Sequence, residues 1–113
     1  MAAPELRVFI HRDGHYIGAN AHALKLLGYS WDDMAALQLG TLSGQEPDAA
    51  LAMWRRFVEG DIAFAPDRDG LLVTKARVQL AVVTLGVEAI ADDVYMARFR
   101  LVASGGDINV GCP

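Results

Sequence analysis

The side chains of this sequence with the widest chemical range are three histidines, His11, His15 and His22, and one cysteine, Cys112. Imidazole near neutral pH serves as general base, proton shuttle or metal ligand. His11 and His15 flank an Asp13-Gly14 turn, and His22 falls on the polar side of a helical segment. No cysteine or carboxylate stands at a metal-motif spacing to them. No serine or cysteine pairs with them in a recognisable nucleophile–base motif. The expectation is therefore three solvent-exposed histidines, no metal site and no catalytic residue. The carboxylates Asp32-Asp33, Asp67 and Asp69, and Asp92-Asp93 fall at turns or helix caps, which accounts for them without catalysis. Gly105-Gly106, the one glycine pair, has no helix after it and makes no phosphate loop.

The elements that would hold such groups are legible in residues 6 to 37. Leu6 to Ile10 and Tyr16 to Ala19 read as two short strands joined across Asp13-Gly14, a dipeptide that tolerates positive φ and suits a tight hairpin. Asn20 stands where a helix N-cap belongs, because its side-chain oxygen can accept an orphan backbone N–H of the first turn. Ala23, Leu24, Leu26 and Leu27 supply one helical face, and Gly28 falls at the left-handed stop. Ser30 with Asp33 three residues later approximates a capping box and opens a second short helix.

This order resembles the PAS sensor-domain family, whose N-terminal half runs strand, Asp-Gly turn, strand ending in Asn, helix ending Leu-Gly-Tyr-Ser, and an acidic helix start. The matching residues are Asp13, Gly14, Asn20, Leu27, Gly28, Tyr29, Ser30 and Asp33. Beyond residue 37 the resemblance rests on strand count and spacing. Where signalling PAS domains often finish their last strand with Asp-Ile-Thr, this chain has Leu101-Val102-Ala103-Ser104.

With 113 residues, 53% of them hydrophobic and 21% charged, the chain reads as one globular domain, with a core over about 6 to 102 and residues 103 to 113 as a tail. A net charge of −4 with scattered basic residues argues against a nucleic-acid surface. No apolar run approaches the roughly 18 to 20 residues of a membrane span, and the start does not read as a secretory signal. A lone cysteine forms no disulfide within the chain and fits a reducing cytoplasm.

Residues 46 to 60 read as a helix with Pro47 in its first turn, Gly60 as its stop, and Leu51, Trp54 and Val58 as its apolar stripe. From Leu71 to Val102 the composition suits strands. Leu72, Thr74, Ala76 and Val78 form one inward set, and Tyr95, Ala97, Phe99 and Leu101 another. Leu80 to Ile90 is apolar on both faces. The turn entering this long strand is placed at Asp69-Gly70, with a break at Gly86; a reversal near Arg77 to Gln79 is the alternative, although it offers no turn residue. Asp92-Asp93 supplies the last turn.

The fold expected is α+β, a PAS-like five-stranded antiparallel sheet with short helices on one face. A small-molecule site would lie between sheet and helices, lined by some combination of Leu51, Trp54, Phe57, Val58, Leu72, Thr74, Tyr95, Ala97 and Phe99. The resemblance implies a cytoplasmic sensory or regulatory module of a histidine kinase or transcription regulator. It would bind a small apolar or aromatic ligand, dimerise, or both, and act on an effector or partner protein. A ligand-free interaction module is the alternative, and a small enzyme is a third. Haem in this family is held by a histidine on the helix facing the sheet, and residues 46 to 60 hold none. Covalent flavin needs a cysteine in a helix motif, and Cys112 lies in the tail. Non-covalent flavin would use Trp31 or Trp54 for stacking, against the plainer reading of Trp54 as core. Homodimerisation is expected through the outer sheet face, with Leu80, Val82, Thr84 and Ile90 on one parity of the long strand and Ala81, Val83, Leu85, Val87 and Ala89 on the other.

Overall fold

Alternation starts the sheet. In β1 (Leu6–His11) Leu6, Val8 and Ile10 are buried while Arg7 is exposed, so one face of the strand is core. The chain reverses at Asp13-Gly14, where Gly14 adopts φ +101, and returns as β2 (Tyr16–Ala19). Asn20 then ties three segments together. Its Oδ1 accepts from the Ala23 N–H at 3.0 Å, capping α1 (Ala21–Leu27), and its Nδ2 donates to the Glu5 carbonyl at 2.9 Å. Gly28 at φ 84 ends α1, and α2 (Trp31–Ala36) opens on a complete Ser30–Asp33 capping box. The third helix, α3 (Pro47–Val58), buries Ala50 and Trp54.

The computed structural model describes residues 5–64 and 67–102. Among them the second half supplies β3 (Arg68–Val73), β4 (Gln79–Ala91) and β5 (Val94–Leu101). The described strands form one five-stranded sheet of order β2-β1-β5-β4-β3, antiparallel throughout. The N-terminal hairpin and the C-terminal meander meet at the β1–β5 pair, where Val8 faces Ala97 and Ile10 faces Tyr95. Leu27 of α1, Met34 of α2 and Trp54 of α3 share one apolar cluster with Leu6, Val8 and Ile10, so the helices cover the same sheet face. No described helix is long and apolar enough to cross a membrane.

Four expectations are corrected. Asp69-Gly70 is not a turn: both residues lie inside β3, paired with Val83 and Val82. The reversal is at residues 74–78, close to the alternative. Thr74 makes it possible without glycine, because its Oγ1 accepts from the Val78 N–H at 3.0 Å while Arg77 takes φ 69. Ala76 and Val78 consequently stand exposed in the turn instead of pointing inward. The long strand is not broken at Gly86. A register shift between Thr84 and Gly86 absorbs an extra residue and lets β4 run for 13 residues. That bulge also changes the face assignment. Val82 is 1% exposed and opposite Leu101, and Val87 and Ala89 pair with the inward Ala97 and Tyr95. The outer face therefore carries Phe9, Val83 and Met96, with Arg7, Arg98 and Arg100 among them. Residues 103 to 113, including Cys112, lie outside the described residues.

Candidate functional site

Trp54 anchors the site. Its indole Nε1–H donates to the Arg12 carbonyl at 2.9 Å, fixing α3 to the β1–β2 turn. A side chain at Gly14 would place its Cβ 2.5 Å from Leu51 Cδ1 and 3.3 Å from Trp54 Cδ1, so the turn's glycine also permits this approach. Tyr95 meets the Trp54 ring edge-on at 5.2 Å, Phe57 lies 5.5 Å away, and Phe64 stacks on Phe57 at 4.6 Å. These rings close one end of the space between helix and sheet.

Beside them is a cavity of about 520 Å³. Its floor is sheet: Val8 and Ile10 of β1, Leu72 of β3, Thr84 and Val87 of β4, Ala97 and Phe99 of β5. Its roof is Leu39, Leu42, Ala50, Met53 and Trp54, with Ile62 and Phe64 at the side. Gly70, on the inward side of β3, withholds a side chain: a Cβ there would come 3.0 Å from Thr84 Oγ1. Polar groups are few. Tyr16 Oη accepts from the Gly40 N–H at 3.3 Å, and burial pushes its phenol pKa up, keeping the hydroxyl protonated. Ser43, Gln45, Arg68 and Asp69 complete the rim. Arg68 shares the parity of Gly70 and Leu72, which sets an exposed guanidinium at the mouth. An apolar chamber with few directed polar groups and both a cation, Arg68, and a carboxylate, Asp69, at its rim suits an apolar molecule with a polar head.

Of the residues expected to line a site, Trp54, Leu72, Ala97 and Phe99 border this cavity. Leu51 packs against Gly14, and Phe57 and Tyr95 belong to the aromatic cluster. Val58 packs against the core. Thr74 is buried but lies at the distal turn, beside a shallow recess formed with Leu26, Leu27 and Gly28. Trp31 is not at the cavity. Its ring covers Gly18, where an added Cβ would fall 1.5 Å from Cζ3, and it is 53% exposed. The residues missed are those of β1 and the 39–45 segment. The alternation of Val8 and Ile10 was a usable signal, and Leu39 and Leu42 flanking Gly40 were a weaker one.

His22 lies half-buried on α1. His11 and His15, by contrast, are brought together across the turn, stacked at 4.9 Å with planes 13° apart. Asp13 Oδ1 touches the Nδ1 of both. Burial acts to raise the Asp13 pKa, but the His15 hydrogen bonds and the two imidazoles outweigh it and hold the carboxyl below its usual value.

No family model matches the sequence, and no curated protein matches it. Solved structures do. The fold is similar to a domain of a sensory box sensor histidine kinase/response regulator from Geobacter sulfurreducens, with TM-score 0.68 and 23% identity over 85% of this chain and 82% of that one. It is similar to the PAS domain of an HTR-like protein from Haloarcula marismortui, with TM-score 0.64 and 15% identity over 88% and 83%. It is also similar to the PAS domain of the Cronobacter turicensis RpfR quorum-sensing receptor in complex with C12:0, with TM-score 0.67 and 12% identity over 91% and 98%. The fold of this chain is thus the PAS fold, as residues 6 to 37 implied.

Proposed function

We propose that this chain is a sensory module of a signalling protein that binds an elongated apolar ligand with an acidic head in the cavity beneath α3. The observation that carries this reading is the chamber of about 520 Å³, within the usual range for small-molecule sites, opening beside Arg68. The RpfR PAS domain has been solved with C12:0 and with BDSF, so this fold accommodates such an occupant elsewhere. The ligand's apolar body would lie on Val8, Leu72 and Phe99 beneath Trp54, and its head would meet Arg68. The role proposed is binding and not catalysis, in the cytoplasm, with the effector a kinase or transcription regulator. The signal would leave through β5, whose inward Ala97 and Phe99 alternate with outward Met96 and Arg98. A second copy of the chain would receive it at the outer face.

The test is titration of the purified protein with dodecanoic acid, read by tryptophan emission and calorimetry, with native mass spectrometry for any ligand carried through purification. Saturable binding is expected, weakened roughly tenfold by Arg68→Ala, the scale of one lost charge-assisted contact. Flat titrations with this acid and with its alcohol, and no retained small molecule, would refute the reading. The second reading, a ligand-free interaction module, is favoured by the Trp54–Phe57–Tyr95 cluster, which already fills one end of the space.

A further inference from the structure

We propose that His11, Asp13 and His15 form a binding site for one divalent transition-metal ion of the zinc class. The three side chains each offer a ligand atom, and those atoms all lie within 4.8 Å of one another. A tetrahedral ion about 2.0 to 2.1 Å from nitrogen and oxygen ligands sets them roughly 3.3 Å apart. His11 Nδ1 and Asp13 Oδ1 are already 3.1 Å apart. The two imidazoles lie nearly parallel, each with its Nδ1 toward the same carboxylate oxygen; His15 Nδ1, 2.5 Å from that oxygen, would move outward to admit the ion. Solvent would fill the remaining position.

The backbone presets this arrangement. The His11 N–H donates to the His15 carbonyl at 2.8 Å, and the Gly14 N–H to the His11 carbonyl at 2.9 Å, so the two histidines face each other across the turn. The turn is held from outside as well, by Trp54 on the Arg12 carbonyl and by the Arg12 N–H on the Asp93 carbonyl at 2.8 Å. Without an ion the cluster makes conflicting demands on one atom. The Asp13 backbone N–H donates to His11 Nδ1 at 3.2 Å, which requires a lone pair there. The contact of the same Nδ1 with Asp13 Oδ1 requires a proton, since two acceptors repel. A cation taking the Nδ1 lone pair and the carboxylate oxygen removes the repulsion between those two acceptors, in exchange for the 3.2 Å Asp13 N–H contact. Two nitrogens and one oxygen select zinc, cobalt, nickel or copper over calcium and magnesium, which take oxygen ligands.

The experiment uses the full chain, free of affinity tag and metal, with Cys112→Ser so that the thiol supplies no ligand. Calorimetric titration with zinc chloride should give one site of micromolar affinity, with calcium chloride giving none. Cobalt should add visible absorption of a nitrogen- and oxygen-ligated ion. His15→Ala and Asp13→Asn should each weaken zinc roughly tenfold or more, with circular dichroism unchanged, while His22→Ala leaves it intact. Absence of saturable zinc binding would overturn the proposal. So would binding that survives a His11→Gln, His15→Gln double substitution or is lost with His22→Ala. The outcome is independent of the cavity and its ligand.

Discussion

Replacing Trp54 with alanine and with phenylalanine separates what holds α3 to the sheet. The ring is 4% exposed, and it meets Tyr95 edge-on at 5.2 Å and Phe57 at 5.5 Å. Truncating a buried aromatic to alanine costs about 3 to 5 kcal/mol. The phenylalanine variant keeps most of the packing but leaves the Arg12 carbonyl without its 2.9 Å donor, which costs about 1 to 2 kcal/mol. Single domains are stable by about 5 to 15 kcal/mol, so the alanine variant removes a large fraction of the total. For a chain of this size each kcal/mol moves the midpoint by roughly 4 °C, so Trp54→Ala should melt on the order of 15 °C lower and Trp54→Phe about 5 °C lower. Urea unfolding monitored by circular dichroism gives the same ordering without relying on tryptophan emission. An alanine variant within about 1 kcal/mol of the parent would refute the placement of the ring and, with it, the roof of the cavity.

Gly18→Ala should cost about 1 to 3 kcal/mol, because its Cβ displaces the Trp31 ring; adding Trp31→Ala should recover most of that loss, and additive effects in the double variant would contradict the contact. Asp33 accepts from the Ser30 N–H and from Lys75, and these hold its pKa below the usual 3.8. A carboxyl depressed on folding stabilises the protein above its unfolded value and loses that contribution as pH falls through the folded one, so acid unfolding of Asp33→Asn should vary less with pH below about 4 than that of the parent. Val82→Glu, on a core position, should destabilise by on the order of 3 to 5 kcal/mol. Met96→Glu on the outer face should leave the fold intact and, in light scattering over a dilution series, abolish any dimer; a dimer mass unchanged by it would place the interface elsewhere.

Local signals decided what was legible in advance. The helix caps made by Asn20, Gly28 and the Ser30–Asp33 pair reach backbone groups within four residues, so residue type alone fixes the helix ends they bound. The strand period likewise put Tyr95, Ala97 and Phe99 of β5 inward, where Ala97 is buried and the two rings pack against the core. The second half failed where one residue type substitutes for another. Thr74 and Arg77 make a turn that glycine usually makes, whereas Asp69-Gly70 resembles a turn and is strand, its glycine serving the cavity instead.

The face of β4 illustrates the harder limit. Parity counting assumes one residue per step, and the register shift between Thr84 and Gly86, followed by a second between Ala89 and Ala91, breaks that assumption. Everything before the first keeps Val82 and Thr84 on the core side, and the stretch after it moves Val87 and Ala89 onto that side too. A strand apolar on both faces leaves no alternation from which to detect the shift, because either register buries hydrophobic side chains. Only the partner resolves it: β5 alternates inward Tyr95, Ala97 and Phe99 with outward Met96 and Arg98, and pairing imposes its parity on β4. The same dependence on partners hid the cavity. An apolar stripe on α3 and an apolar floor on β5 specify that the two layers meet. Whether they meet in contact or across a chamber depends on the side chain Gly70 lacks and on Leu39 and Leu42, which arrive from a loop with no period of its own.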